Sequence, residues 1–354
     1  MDGEIILAEY LQRLEDDGLS KRTIDNNIFV LTPFVKWLGN QEISDKTVMA
    51  YLRSLKPKNY SDSTLYQYRA VLKKFLSTIS PEQARGIKLK VKKREPPIIL
   101  TQEEVERLIE ACRNPRDRAL VSFLYESGCR KGELVSIRLE NITFTEFGAT
   151  VTIPRGKTGS RTLPIVYSAS YLRQWIDCHP TKGSCDPLFC SLQEPFARFS
   201  FSGLSHLMRV LKERTGIKKK IYPHIFRHSR ASHLANKFTE QQLKQFLGWT
   251  AGSNMAAVYV HLSQRDIEDA VLNMHGIEST QKRNDNFKVE RCPRCKEINP
   301  ETSKYCGKCG MPLKDEAREA IEKAEAEIDL AIMKAAVLNP EILEEIAKRL
   351  KFEK

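Results

Sequence analysis

The chain has 354 residues, more than one hydrophobic core usually organises, so two or three domains are expected. Its formal net charge of +12 favours a polyanionic partner, nucleic acid before an anionic membrane surface. No apolar run approaches the roughly 18 residues of a membrane span, no signal-peptide pattern opens the chain, and the odd number of cysteines, nine, argues against a secreted disulfide framework. These features predict a cytoplasmic protein without membrane partners.

Residues 1–83 are predicted to form a helical domain. Apolar residues recur at helical spacing, and Ser20 and Ser61 stand where N-caps are expected, just before two of the periodic segments. Basic and polar residues on the outer faces suit contact with a duplex backbone. A helical packing or dimerisation domain is the alternative interpretation.

Residues 84–98 are predicted to be an extended basic linker, because basic residues alternate with apolar ones and Pro96-Pro97 excludes a helix. The charges either contact DNA phosphates or are simply solvated. The candidate DNA contacts in this linker are Lys88, Lys90, Lys92, Lys93 and Arg94.

The segment 99–276 is predicted to be the large domain. Thr101 and Glu104 form a capping-box pattern at its first helix. Further on, Gly128 permits a sharp turn before a helix that begins near Arg130. A basic residue at a helix N-terminus is unfavourable unless an anion binds there, so Arg130 is a candidate phosphate ligand. Glu133 either orients that guanidinium or complements the helix dipole.

Three strand-like segments, 141–145, 149–154 and 161–166, predict a small antiparallel sheet. Lys157 lies at the tip of the hairpin between the last two segments, on a flexible reach. The Gly156-Lys157-Thr158 tripeptide resembles part of a nucleotide-binding P-loop, but the first glycine of that motif is missing and a hairpin replaces the strand-to-helix turn. We therefore reject ATP binding.

The stretch 223–262 carries the strongest chemical pattern. His224 and Arg227 are three residues apart, which places them on one face of a helix. A Gly248-Trp249 turn follows, and then Tyr259 in a run of small and apolar residues. This arrangement suggests a tyrosine nucleophile directed at a phosphodiester.

The tail begins with a polar linker at 277–290 and continues as two Cys-x-x-Cys knuckles within 291–314. Cys292, Cys295, Cys306 and Cys309 have the spacing that binds one structural Zn²⁺ tetrahedrally, and so small a module needs the metal to fold. Three roles are open for this zinc ribbon: contact with DNA, contact with another protein, or a purely structural role. A helical tail at 315–354 follows, with one helix from Asp315 to Leu338 and a second after Asn339-Pro340; its apolar face implies a partner helix, in the tail or on another subunit.

Together these motifs resemble the tyrosine recombinase (phage integrase) family over residues 1–276. The order of motifs and the tail are most similar to integrases of archaeal viruses or plasmids, with Xer-type recombinases as further relatives. The motifs that carry the resemblance are Gly128-Cys-Arg130-Lys-Gly-Glu133-Leu, Gly156-Lys157-Thr-Gly, Pro223-His224-Ile-Phe-Arg227-His228-Ser, Leu247-Gly248-Trp249 and Tyr259-Val-His261-Leu.

The resemblance implies a mainly α protein: a SAM-like core-binding domain at 1–83, then a mostly α catalytic domain at 99–276 with a small antiparallel three-stranded sheet. It implies double-stranded DNA as substrate, no cofactor for catalysis, and a homotetramer on paired recombination sites. A short helix after Tyr259 would dock on a neighbouring protomer.

The resemblance also implies the role of each site residue. Tyr259 would form a 3′-phosphotyrosyl link and release a 5′-hydroxyl. The other expected members of the site are Arg130 and Arg227 as phosphate clamps, Lys157 as the acid for the leaving oxygen, His224 as phosphate ligand or general base, Trp249 in a position where the family often has a histidine, and Glu133 as a support. His228 and His261 are expected to be structural.

The function implied is site-specific recombination, as the integrase or excisionase of a mobile element. Three alternatives remain open: resolution of chromosome or plasmid dimers, strand nicking like that of a type IB topoisomerase, and a non-catalytic DNA-binding regulator.

Overall fold

A computed structural model describes residues 3–55, 59–89, 97–156, 159–235, 237–260, 274–275 and 287–338. The chain divides into two compact units, Met1–Glu95 and Pro96–Lys354. Each unit has its own hydrophobic core.

The first unit is helical, as predicted. Ser20 and Ser61 cap helices as expected, each accepting a hydrogen bond from the N–H three residues on. Leu31, Phe34 and Phe75 are fully buried at its centre. Its described helices are Gly3–Asp16 (α1), Lys21–Leu38 (α2), Asp45–Ser54 (α3), Asp62–Ile79 (α4) and Pro81–Gly86 (α5). Because α5 and the buried Ile87 belong to this core, the unit continues a few residues beyond the predicted boundary at 83.

The second unit is also mainly α, with one small sheet. Thr101 and Glu104 form the capping box predicted for its first helix. Its described helices are Gln102–Glu110 (α6), Pro115–Ser127 (α7), Lys131–Ser136 (α8), Ala169–Asp177 (α9), Phe201–Thr215 (α10), Pro223–Ala235 (α11), Glu240–Leu247 (α12) and Met255–Val260 (α13).

The predicted three-stranded antiparallel sheet is confirmed. Its strands, in the order β1-β2-β3, are Ile142–Thr145, Gly148–Gly156 and Gly159–Ile165. Val151, paired with Leu163, faces the core, whereas Thr152, paired with Thr162, faces outward. This alternation is the period of a half-buried sheet.

Helix α7 is the centre of the larger core. Every residue from Ala119 to Ser127 is buried, so the helix is enclosed on all sides by its neighbours α6, α9 and α11. A helix enclosed in this way has little freedom to shift. The turn that follows it, at Gly128, therefore has a firmly held starting point.

A second, smaller hydrophobic cluster joins α11, α12 and α13. Leu243, Leu247 and Ala256 are fully buried in it, and Tyr259 is only 2% exposed. The cluster thus fixes Tyr259 against the helix that carries His224 and Arg227.

The tail contains a two-stranded antiparallel ribbon and a long helix. The strands are Val289–Arg291 (β4) and Ile298–Pro300 (β5), and the helix Asp315–Leu338 (α14) has the predicted bounds. On its apolar face Ala317, near the start, is buried, whereas Ile328 is 58% exposed. The predicted second tail helix lies outside the described residues, and among those described no helix has the length and apolar character to cross a bilayer.

Candidate active site

The turn between α7 and α8 places Arg130 at the start of α8. Gly128 has φ +56°, and a Cβ there would lie 2.7 Å from Leu247 Cδ2, so both the backbone and the neighbouring α12 require glycine. Arg130 is the N-cap residue of α8. Its guanidinium is partly exposed, at 29%, and therefore open to a ligand.

Glu133 is the anchor of this part of the site. Its carboxylate accepts hydrogen bonds from the backbone N–H of Arg130 at 2.9 Å, from Arg130 Nη1 at 2.6 Å and from Arg161 Nη2 at 2.9 Å. Burial alone would raise the pKa of Glu133, but the hydrogen bonds from Arg161 and Arg130 and the charge of Arg161 lower it to about 2. Glu133 is therefore ionised at neutral pH and holds both arginines.

Arg227 is held by two backbone carbonyls. Its Nη1 donates to Gly128 O at 2.8 Å, and its Nη2 donates to Leu247 O at 2.6 Å. Burial and the nearby charge of Arg130 lower the pKa of Arg227 to about 10, which leaves it cationic at neutral pH. Since a guanidinium has five donors, N–H groups remain for an anion.

The turn after α12 joins the two arginines. Gly248 O accepts from Arg130 Nη2 at 3.0 Å, beside the Leu247 carbonyl that binds Arg227. Gly248 has φ +62°, and a Cβ there would lie 2.6 Å from Arg161 Nη1. This turn thus needs glycine to bring Arg130, Arg161 and Arg227 together.

Tyr259 is deeply buried and close enough to Arg227 to feel its charge. Its ring stacks on Trp249 with centroids 5.6 Å apart and an interplanar angle of 10°. Its hydroxyl is 2.5 Å from His228 Nδ1. Burial raises the pKa of Tyr259 to about 12, although the charge of Arg227 opposes the rise, so the phenol is neutral in this state.

His228, which was expected to be structural, contacts the Tyr259 hydroxyl. The role of phosphate ligand or general base expected of His224 stays a prediction. Burial and the neighbouring His224 and Arg227 lower the pKa of His228, so its ring is neutral at neutral pH and able to accept the phenolic proton. His224 is exposed, with its ring centroid 6.5 Å from that of His228. Partial desolvation and the charges of Arg227 and Lys131 lower the pKa of His224 as well.

Sequence reasoning missed two residues, His228 and Arg161. His228 is one helical turn after His224, a spacing that places the two rings on one face. Along β3, Arg161 is on the same face of the sheet as Leu163 and Ile165, the face that packs on the core. A charged residue at such a position is unusual and could have indicated its role from the sequence. Each needs its partner from a distant element to reveal its role.

Several predicted residues lie outside the described part of the chain. Lys157, at the hairpin tip, is one of them, as are His261 and the short helix expected after Tyr259. Of the linker residues, Lys88 is described and exposed. The remaining linker residues, Lys90, Lys92, Lys93 and Arg94, lie outside the described ranges.

The four cysteines of the tail converge. Their sulfurs all lie within 4.8 Å of one another, with Cys292 Sγ 3.7 Å from Cys309 Sγ and Cys295 Sγ 3.5 Å from Cys306 Sγ. Four thiolates at a Zn–S distance of about 2.3 Å stand roughly 3.8 Å apart in a tetrahedron. The donor set and its dimensions therefore fit one zinc ion.

The two knuckles have the same backbone design. Lys296 N donates to Cys292 O, and Gly310 N donates to Cys306 O. Lys296 and Gly310 follow the second cysteine of their knuckles and have φ +63° and φ +71°. A non-glycine residue in this left-handed conformation is uncommon, so the site accepts strain at Lys296 to close the first knuckle.

Chemically, the arginine and tyrosine groups form an anion site beside a protonated nucleophile. Two fixed guanidinium groups suit the nonbridging oxygens of a phosphodiester, and a neutral phenol with a neutral imidazole on its proton suits attack on phosphorus. Within the described part of the chain, no three carboxylate, histidine or cysteine side chains of this site lie close enough together to bind a metal ion.

The comparison with protein families matches both units. Residues 99–265 match the phage integrase family, and residues 6–84 match the phage integrase N-terminal SAM-like domain. The SAM-like fold predicted for the first unit is thereby confirmed.

The chain is similar to named recombinases over most of their length. It is 26% identical to tyrosine recombinase XerD of Oceanobacillus iheyensis over 284 residues, which cover 73% of this chain and 93% of that protein. It is 27% identical to tyrosine recombinase XerA of Pyrococcus furiosus over 285 residues, which cover 77% of this chain and 95% of that protein.

Solved structures show the same fold. A Tn1549 transposon integrase in complex with transposon end DNA aligns with a TM-score of 0.62 at 15% identity, covering 76% of this chain and 99% of that chain. The XerH recombinase bound to its difH substrate aligns with a TM-score of 0.57 at 20% identity, covering 75% of this chain and 83% of that chain.

Proposed function

Because the chain belongs to the phage integrase family and is a tyrosine recombinase, an enzyme that breaks and rejoins DNA, we propose that it integrates and excises a mobile genetic element. The observation that carries the catalytic part of this proposal has two halves. Arg130 and Arg227 bind adjacent carbonyls in the turn after α12, and His228 on α11 contacts the hydroxyl of Tyr259 on α13.

In the proposed reaction the Tyr259 oxygen attacks a DNA phosphorus. The new O–P bond forms a 3′-phosphotyrosyl link as the bond to the 5′ oxygen breaks. Arg130 and Arg227 bind the nonbridging oxygens and stabilise the charge that builds up on them. Rejoining is the reverse step with a 5′-hydroxyl as nucleophile, so the bond energy is conserved and no cofactor is consumed.

Two protons move in this reaction. The phenolic proton of Tyr259 passes to His228 Nδ1, which already lies 2.5 Å away and is neutral. The leaving 5′ oxygen takes a proton from Lys157, the role that the family resemblance implies for the hairpin. His224, exposed near Arg227, is then free to hydrogen-bond the phosphate, and Trp249 packs the tyrosine ring.

The nucleophile is sheltered in this state. Tyr259 is 2% exposed, so α13 must shift before its oxygen reaches a phosphodiester. Such shelter suits an enzyme whose cleavage has to wait for an assembled DNA complex. By the family resemblance that complex is a homotetramer on paired sites; among the structural neighbours, a lambda integrase tetramer is bound to a Holliday junction.

Integration is favoured over dimer resolution by the tail. The match to XerD spans 93% of that protein but only 73% of this chain. The match to XerA spans 95% of that protein but only 77% of this chain. Beyond the residues that match the phage integrase family, this chain has a ribbon and a long helix. Because the substrate is chromosomal or element DNA, the site of action that we propose is the cytoplasm.

We further propose that Cys292, Cys295, Cys306 and Cys309 hold one structural Zn²⁺. When bound, the metal supplies a covalent-like link between the two knuckles and takes no part in DNA cleavage. Asn299 supports the set, since its Nδ2 lies 3.6 Å from Cys306 Sγ and its Oδ1 accepts from Gly307 N at 2.8 Å.

A nicked suicide DNA substrate tests the catalytic proposal. The wild-type protein is expected to accumulate a covalent protein–DNA adduct, and Tyr259→Phe is expected to bind the same DNA without forming it. Tyr305→Phe, at a 42% exposed position of the ribbon, is the matched control and should trap like wild type. Equal trapping by Tyr259→Phe would remove Tyr259 as nucleophile.

Two further readouts separate the alternatives. Exchange between two DNA sites, rather than relaxation of supercoils alone, distinguishes a recombinase from a topoisomerase-like nickase. DNA flanking the gene distinguishes the two recombinase roles: an integrase gene should lie next to a direct repeat at the edge of an inserted element. A gene in conserved chromosomal context, whose protein recombines one chromosomal site, would favour dimer resolution.

A further inference from the structure

One of the contacts between the ribbon and the catalytic core is made by an aromatic residue. Phe287, just before β4, stacks on Tyr125 with ring centroids 4.6 Å apart and an interplanar angle of 26°. Its edge contacts Tyr167, again at 4.6 Å, with an angle of 78°. Aromatic pairs in these geometries stabilise a contact beyond the effect of the area that they bury.

Tyr125, beneath Phe287, joins two helices of the active site. Its hydroxyl is 2.7 Å from His233 Nδ1 on α11. Arg230, also on α11, places its guanidinium 5.4 Å from the Tyr125 ring and donates from Nε to Glu126 O at 2.9 Å. The last turn of α7 and the C-terminal half of α11 are thus joined beneath the Phe287 ring.

The same two helices position the arginines. Helix α7 ends at Ser127, its C-cap Gly128 stands two residues before Arg130, and α11 carries both Arg227 and His228. Arg227 Nη1 donates to Gly128 O at 2.8 Å, across the gap between the helices. A change in the spacing of α7 and α11 would therefore alter both phosphate-binding groups and the partner of Tyr259.

A second contact comes from within the knuckles. Glu297, two residues after Cys295, accepts from Arg173 Nε of α9 at 3.1 Å, and this carboxylate is only 9% exposed. In the other knuckle, a Cβ at Gly307 would lie 2.9 Å from the Ser170 carbonyl. Both contacts depend on the loop geometry that the four sulfurs hold together.

We propose that the ribbon is a metal-held buttress of the catalytic domain, with Phe287 as a positioning residue that sets the spacing of α7 and α11. The inference rests on the recombinase and zinc assignments proposed above. It gives the ribbon an intramolecular role in cleavage, in contrast to an independent DNA-binding module.

Full-length Phe287→Ala is the main test, compared with wild type by three measurements. Zinc content should stay at one ion per chain, because Phe287 is not a ligand. Hydrogen exchange at the end of α7 and in α11 should become faster. Single-turnover DNA cleavage should fall roughly ten- to hundredfold while DNA affinity stays unchanged, since misplacement rather than lost contact slows the reaction.

Two variants make the result specific. Phe287→Tyr keeps the stacking ring and should restore cleavage, and Phe287→Leu is the milder substitution if the alanine variant does not fold. Phe147→Ala is the matched control, because Phe147 contacts the ribbon through Arg291 at 5.8 Å but is 63% exposed on the β1–β2 turn, away from α7. It should leave exchange in α7 and α11 and cleavage unchanged.

The proposed role of the ribbon is refuted if Phe287→Ala and Phe287→Leu leave both the cleavage rate and the hydrogen exchange of α7 and α11 at wild-type values. The proposed role is also refuted if these two variants lower only the affinity for DNA, because that result is expected of a DNA-binding module. These outcomes are separate from failure of the underlying assignments: wild type that traps no DNA refutes the recombinase chemistry, and wild type without zinc refutes the metal, whereas the exchange measurement tests the docking in either case.

Discussion

His228 Nδ1 lies 2.5 Å from the hydroxyl of Tyr259, a residue that follows it by 31 positions. The stacked rings of Tyr259 and Trp249 hold the phenol in place, and the short helix α13 packs against α11. With the pKa of Tyr259 raised to about 12 by burial, the phenol needs a base at neutral pH. We infer that His228 is that base.

The first prediction concerns the choice between the two histidines. His228→Gln should slow single-turnover DNA cleavage by roughly a hundredfold or more, because general-base assistance is typically of that size. The measurement is the rate of covalent adduct formation on a suicide substrate at saturating protein. His206→Gln, exposed on α10, should cleave at the wild-type rate. A His228→Gln variant as fast as the control would return the base role to His224.

The second prediction concerns pH. Burial, His224 and Arg227 lower the pKa of His228, so its neutral, proton-accepting form persists below the ordinary histidine value of about 6.5. Wild-type cleavage should stay constant as pH falls to that value and decline only at lower pH, as His228 becomes protonated. A pH–rate profile in single turnover measures this limb. Persistence of the same limb in His228→Gln would exclude His228 as its source.

The third prediction concerns the anchor of the arginines. Glu133→Gln should lower the free energy of unfolding at pH 7 by roughly 3 kcal/mol, the equivalent of lowering the Glu133 pKa from 4.5 to about 2. A lowered carboxyl pKa stabilises the fold above the unfolded-state value and loses that effect as pH falls through the folded-state value. The difference between wild type and variant should therefore shrink between about pH 4.5 and pH 2.

Denaturant unfolding at several pH values measures this difference. Glu213→Gln is its control, because the Glu213–Arg209 pair spans the surface of α10 with side chains 61% and 60% exposed. Removing it should change stability by less than about 1 kcal/mol. Equal effects of the two substitutions would mean that Glu133 does not anchor the site.

The fourth prediction separates backbone strain from crowding at two glycines. Gly216 and Gly248 both follow the end of a helix and have positive φ, +66° and +62°. A Cβ added at Gly216 would have no neighbour within 4 Å, whereas a Cβ added at Gly248 would lie 2.6 Å from Arg161 Nη1. Gly216→Ala should destabilise the protein by about 1 kcal/mol and leave cleavage intact. Gly248→Ala should cost roughly 1–3 kcal/mol more and slow cleavage, because it displaces Arg161 from Glu133. Thermal unfolding measures the loss of stability, and the suicide-substrate assay measures the cleavage rate. If the two variants behaved identically, crowding by Arg161 would not explain the need for glycine at position 248.

The fifth prediction concerns the metal. Elemental analysis of the purified protein should find one zinc per chain, and Cys295→Ser should lose it. Cys185→Ser, an exposed cysteine outside the cluster, should keep it. Because thiolate ligation is part of the folding free energy of so small a module, a strong chelator should also expose the ribbon to proteolysis. Full retention of zinc by Cys295→Ser would place the metal elsewhere.

Local sequence patterns determined much of this protein by themselves. The capping box at Thr101 and Glu104, the caps at Ser20 and Ser61, and the bounds of α14 follow from interactions within one or two helical turns, which neighbouring residues specify. The convergence of the four cysteines follows equally from the short Cys-x-x-Cys spacing, because two residues between ligands leave few ways to close a knuckle.

The tertiary structure alone decided which groups meet across long separations. Arg161 reaches Glu133 from a strand, His228 reaches Tyr259 from another helix, and Phe287 reaches Tyr125 from the tail. No local periodicity encodes such pairs, because each depends on how buried helices such as α7 and α11 pack and on which polar groups that packing leaves to satisfy one another. The sequence determined that this is a recombinase with an arginine–tyrosine site and a four-cysteine ribbon; packing decided which histidine contacts the tyrosine and where the ribbon docks.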